Sequence, residues 1–148
     1  MRTELVLAGA CGLYCGACGI YRMYRDQDVE RLQYNAEEVF HCRPEQIRCE
    51  GCRGPEEYRW SPRCAIAGCV AERGHTFCFE CAQFACEDLA AFSADRLDLP
   101  ISNLRRMAEV GLEAWLAEQE VRWRCPACHH PVDIYSRACR TCGAELTH

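Results

Sequence analysis

A mainly α-helical fold with irregular, metal-stapled loops and a small β zinc ribbon at the C-terminus is the architecture this sequence predicts. Three observations lead there. Fifteen of the 148 residues are cysteine, and most fall in the short Cys-x-x-Cys spacings that suit a metal ion. Between the cysteines, apolar residues recur at i, i+3, i+4 intervals, the period of an amphipathic helix. Strand-forming residues cluster only in the last 24 residues or so, at Val132, Ile134 and Tyr135.

The elements follow in order. Leu5 to Ala10 reads as a buried extended segment leading into the first thiols. Leu7-Ala8-Gly9-Ala10-Cys11 also has the outline of a lipoprotein cleavage box, but Glu4 stands where positive charge belongs and the apolar run is too short for an export signal. Ile20, Met23 and Tyr24, then Leu32, Ala36, Val39 and Phe40, predict two short helices or one kinked helix, broken at Asp26-Gln27-Asp28. From His41 to Thr76 Gly51, Gly54, Pro55, Pro62, Gly68 and Gly74 punctuate the chain and no period survives, so this stretch reads as a loop that needs an external staple. Helical patterning resumes over Ala85 to Leu97, through Leu89 and Phe92. It continues over Pro100 to Trp123, where Gly111 ends one helix and starts another, Ser102 or Asn103 caps the first, and Glu118 pairs with Arg122. Met107, Trp115 and Leu116 are packing residues in this reading.

The cysteines themselves divide the chain. Eleven lie between Cys11 and Cys86, and the other four, Cys125, Cys128, Cys139 and Cys142, follow a long gap. The gap predicts a cysteine-rich metal-binding domain over 1–99, a helical connector over 100–123 and a zinc ribbon over 124–148.

Cys125-Pro-Ala-Cys128, ten residues, then Cys139-Arg-Thr-Cys142-Gly143 is the most specific motif. Two such turns present four thiolates, and an intervening hairpin can bring them into one tetrahedron at ~2.3 Å from Zn²⁺. A tail this short buries too little to fold without a metal. The closed shell leaves no open position for substrate, which argues a structural role. His129 and His130 are spare and exposed in this reading, and iron is the lesser chemical option.

The first block holds Cys11, Cys15 and Cys18, the lone Cys42, the knuckle-like pairs Cys49/Cys52 and Cys78/Cys81, and Cys64, Cys69 and Cys86. Eleven thiols allow two four-Cys sites with three left over. One pairing joins Cys64/Cys69 to Cys49/Cys52 and Cys15/Cys18 to Cys78/Cys81; others stay open. His41 and His75 lie beside cysteines but read as loop residues, and Cys42 as a small apolar packing residue. Cys11-x3-Cys15-x2-Cys18 has the spacing by which radical S-adenosylmethionine enzymes hold an iron-sulfur cluster, yet those enzymes need strand-helix alternation that this chain lacks. A noncatalytic iron-sulfur cluster with Cys86 as fourth ligand is the alternative to zinc in this block.

Taken together, Cys-Gly-Leu-Tyr-Cys-Gly-Ala-Cys at 11–18, Cys49-x-Gly-Cys52, Cys64-x-Ile66-x-x-Cys69 and Cys78-x-x-Cys81-x-x-Phe-x-Cys86-x-x-Leu89 resemble a family of small cysteine-rich prokaryotic proteins classed as a domain of unknown function. The resemblance covers roughly 8–110, with Gly19 and Ala85 standing where that family favours proline. It implies metal binding and no particular activity.

Charge and compartment narrow the function. An odd number of thiols in knuckle spacings implies a reducing, cytoplasmic setting. All seventeen basic residues are arginine against twenty-two acids, a formal charge of -5, whereas nucleic-acid binders carry a basic excess. Arg53, Arg59, Trp60 and Arg63 form the one local exception, faced by Glu56 and Glu57. No stretch is long and apolar enough to span a membrane. No Gly-rich phosphate loop, His-Glu-x-x-His helix or Gly-x-Ser-x-Gly elbow occurs, so no catalytic residue is assigned. The sequence therefore predicts a zinc-binding intracellular interaction or regulatory module that meets a protein partner. Its alternatives are an iron-sulfur or thiol-dependent redox enzyme using Cys11, Cys15 or Cys18, activated by arginines such as Arg22, and a nucleic-acid-binding ribbon reading phosphate through Arg137 and Arg140.

Overall fold

The computed structural model describes residues 3–147. Six α-helices carry the architecture: α1 (Gly19–Arg25), α2 (Val29–Tyr34), α3 (Ala65–Glu72), α4 (Glu87–Ala94), α5 (Leu99–Val110) and α6 (Leu112–Arg122). Short 3₁₀ turns link them, and none of these helices is long and apolar enough to cross a membrane. The break before α2 forms where the polar triplet predicts it. Asp28 caps α2 by accepting the Arg31 N–H at 3.2 Å, and α2 runs on into a π-turn over Asn35–Phe40.

The main core sits where α5 and α6 close over the first cysteine loop. Ala8, Cys11, Phe77, Leu89, Leu104, Met107, Trp115 and Leu116 form it, so 100–123 supplies half of the buried side chains that the preceding block packs against. Gly111 joins the two helices at φ 89°, a left-handed value that glycine adopts without strain. At Gly12, also left-handed with φ +91°, an added Cβ would stand 2.3 Å from the Pro100 carbonyl oxygen. The Asn103 amide locks the same contact by donating to the Gly12 carbonyl at 2.9 Å. Glycine at position 12 is what lets the first cysteine loop lie flat on α5.

Several local expectations change. Residues 5–7 lie in a 3₁₀ turn, Thr3–Leu7, and not in an extended strand. Helix α3 forms inside the stretch that shows no period, because Ala65 to Ala71 is apolar or small at every position and so has no apolar stripe to betray it. Neither Ser102 nor Asn103 caps α5. Asp98 takes the N-cap position, and the buried Ser93 hydroxyl of α4 accepts the Ile101 N–H at 3.2 Å. Glu118 pairs with Arg106 across the α5–α6 hairpin at 2.6 Å, while Arg122 lies over the Trp123 ring.

The predicted β ribbon does not form. Among the described residues of the tail, pairing is limited to two isolated bridges, Arg124 with Pro131 and Ala138 with Glu145. The reason is that pairing stops at Val132, whose N–H donates to the Trp123 carbonyl at 3.0 Å beside the Arg124–Pro131 bridge. The next residue to be paired, Ile134, is used elsewhere and donates its N–H to the Ala17 carbonyl at 3.0 Å. Asp133, 2% exposed, accepts from Tyr135 N–H, Ser136 N–H and the Ser136 hydroxyl and pairs with Arg31 at 2.9 Å. An Asp-nucleated turn anchored on α2 thus replaces the second half of a hairpin. Arg140 adds a two-nitrogen contact to Asp28 at 2.8 and 3.1 Å. The tail is docked by these pairs, with Ala17, Leu99 and Trp123 as the apolar seam beneath.

Candidate metal centre

Each half of the tail site is a tight turn that aims backbone N–H groups at sulfur. The Ala127 N–H points at Cys125 Sγ, 3.4 Å away, and Gly143, at φ 78°, completes the turn after Cys142. The two turns meet so that Sγ of Cys125 lies 3.6 Å from that of Cys142, and Sγ of Cys128 3.6 Å from that of Cys139. All four ligand atoms fall within 4.8 Å of one another. Four sulfurs at ~2.3 Å from a tetrahedral Zn²⁺ stand about 3.8 Å apart, so the observed spacing is that of a tetrathiolate site and not of a disulfide. Cys125 and Cys139 are buried beside Val132 and Leu146, while Cys128 and Cys142 face outward.

Proton affinities show the strain of four thiols in contact. The Cys128 and Ala127 N–H groups and the neighbouring Cys142 hold Cys125 down to about 6. Against the His130 N–H, which lowers it, burial and the three other thiols push Cys128 up to about 12. Four like charges cannot form together in this space without a cation. The group can hold a metal ion, and all its thiols are those the sequence singles out.

Neither tail histidine reaches it. His130 pairs with Asp26 at 3.1 Å, and His129 occupies a left-handed backbone position at φ 62°.

In the first block the thiols regroup across the expected pairing. Cys15 interacts directly with Cys52, and Cys18 faces Cys49 and Cys52 while accepting the N–H groups of Ile20 and Tyr21 at the start of α1. Burial pushes Cys18 up; Cys52, beside Cys15, Arg59 and Arg53, is held down to about 6. Cys15 and Cys18 therefore sit with Cys49/Cys52, and not with Cys78/Cys81. Cys69, Cys78, Cys81 and Cys86 line a separate cavity. Cys11 lies between the groups, facing Cys52, Cys64 and Cys78, and burial pushes it up to about 12. Cys64, at the N-cap of α3, also faces Cys78. Among the described residues, none of these thiols joins a group as tight as that of the tail. Cys42 packs against Met23, Leu32, Ala36 and Ile47, the small apolar role expected of it. His41 is exposed, with Nδ1 3.0 Å from the Glu37 carbonyl, whereas His75 lines the Cys69–Cys86 cavity.

Of the arginines singled out for nucleic acid, Arg53, Arg59 and Arg140 are occupied within the chain. Arg140 is held by Asp28. Arg53 donates to the Ala8 and Thr76 carbonyls and covers the Phe77 ring, Arg59 donates to the Gly54 carbonyl, and Trp60 packs edge-on against Phe40. Three residues that matter here carried no sequence signal. Asp133 and Arg31 anchor the tail, and Arg73 donates to Cys81 Sγ at 3.6 Å. A lone charge far along the chain from its partner has no spacing to reveal it.

No match is found among curated proteins or among solved structures. Residues 7–91, from the turn before Cys11 into α4, match the family described as "Protein of unknown function (DUF3795)", and the chain belongs to that family.

Proposed function

We propose that the protein is a zinc-stapled intracellular module that acts by meeting a protein partner, with metal in a structural role. The observation that carries this reading is the tail foursome, whose sulfurs already stand at tetrathiolate spacing with N–H groups turned toward them. Four protein thiolates close the coordination shell, so the ion has no place for substrate. What it supplies is fold: it ties two turns with little core of their own into one unit, which the Arg31–Asp133 and Asp28–Arg140 pairs then dock on the rest of the chain. The cysteines of the first block, Cys11, Cys15, Cys18, Cys49, Cys52, Cys64, Cys69, Cys78, Cys81 and Cys86, extend the same chemistry to the loops around α3 and α4.

Elemental analysis of protein purified without oxygen tests this. Zinc should be present without acid-labile sulfide, and the double variant Cys125→Ser/Cys128→Ser should lose one equivalent. Iron with stoichiometric sulfide would overturn the zinc assignment.

One observation favours a thiol-redox reading as the second choice. Cys52 is exposed and held down to about 6, chiefly by its contact with Cys15, with two arginines nearby, the setting of a reactive thiolate. Rapid alkylation of Cys52 in the metal-loaded protein would favour that reading; protection by metal would remove it.

A further inference from the structure

The geometry points to a second metal site in the first block, built by Cys69, Cys78, Cys81 and Cys86 and taking a single soft divalent cation, zinc foremost. The inference rests on the metal-thiolate reading above and goes beyond it in naming a ligand set that the sequence spacing divides differently. Three elements bring the thiols together: α3 carries Cys69, the 3₁₀ turn Cys78–Glu80 carries Cys78 and leads into Cys81, and Cys86 is the N-cap of α4. All four line one cavity of about 40 Å³.

Two independent details mark this as a thiolate site. The Gln83 N–H lies 3.4 Å from Cys81 Sγ, two residues on, which repeats the Ala127 contact to Cys125 in the tail. Arg73 then places its guanidinium 3.6 Å from the same sulfur and lies against Cys69. A tetrathiolate zinc site is doubly negative, so an arginine at its rim offsets charge and hydrogen-bonds ligand sulfur, as outer-shell partners do.

A space of about 40 Å³ has room for one ion among the four thiols. Cys64 does not line it, and neither Cys49 nor Cys52 does.

Cadmium-113 NMR of the full chain, with cadmium exchanged for the native metal, tests the assignment on the wild-type protein. One resonance should correlate with the β-protons of Cys69, Cys78, Cys81 and Cys86, and a separate one with those of Cys125, Cys128, Cys139 and Cys142. Correlation of Cys69 with the ion held by Cys49 and Cys52, replacement of any of the four by His75, or absence of a shared ion would overturn the proposed set. Loss of the tail resonance alone would instead sink the reading of the tail. As a second measurement, Cys69→Ser/Cys86→Ser should lower bound metal by one equivalent and Cys64→Ser by none; the reverse pattern would also overturn the set.

Discussion

Asp133 shows how one side chain can hold a segment in place. Its carboxylate is 2% exposed and meets Arg31, Ser136 and the Tyr135 N–H, while Arg140 and Asp28 form an outer pair with the arginine 46% exposed. Breaking a buried pair leaves an uncompensated charge, whereas an exposed pair contributes little. Asp133→Asn should therefore cost about 3 kcal/mol of unfolding free energy, and Arg140→Ala about 1 kcal/mol or less, in urea titrations at saturating zinc. Equal losses would show that the buried pair is not the anchor. Gly12→Ala forces a Cβ against the Pro100 carbonyl in a left-handed backbone and should cost more than ~2 kcal/mol. A melting temperature unchanged by Gly12→Ala would contradict the close approach of α5.

Docking of the tail on α1 and α2 is where electrostatics acts between elements. The Arg140 contact holds the Asp28 carboxyl below its ordinary value. Burial pushes Asp133 up, but the Ser136 hydrogen bond and the Arg31 charge outweigh it, so it too lies low. Groups with depressed folded values stabilise the docked state above their unfolded value of about 4 and lose that contribution as pH falls through the folded values. The protection factor of the Ile134 amide, bonded to Ala17 and corrected for the intrinsic pH dependence of exchange, should fall below about pH 4, and Asp133→Asn should flatten that response; a constant protection factor in the wild type would contradict it. Helices α5 and α6 could be read from the sequence because they bury periodic faces, Leu104 with Met107 and Trp115 with Leu116 and Gln119. Helix α3 could not, since Ala65 to Ala71 is apolar or small at every position and so shows no period. The ribbon was misread because Ile134 and Asp133 bond outside the tail, to Ala17 and Arg31, a tertiary demand that strand propensity cannot register. The tail thiols were legible because their two turns are local. The grouping of Cys15/Cys18 with Cys49/Cys52 depends on how distant loops fold over α5 and leaves no mark in spacing.

At the scale of the whole molecule, apolar burial among the described residues is divided among four clusters, and the one in the tail includes two of the candidate ligands themselves, Cys125 and Cys139. Such a fold depends on its cross-links, because ligand binding is itself part of the folding free energy. The loops around α3 and the turns of the tail should be the first to open when metal is removed, and α5 with α6 the last. The most direct measurement is far-UV circular dichroism melting of the reduced protein before and after chelation, with elemental analysis confirming removal of metal. The cooperative transition should be lost on chelation and return when zinc is restored; a metal-free protein with the same spectrum and the same melting temperature would show that the fold does not depend on metal.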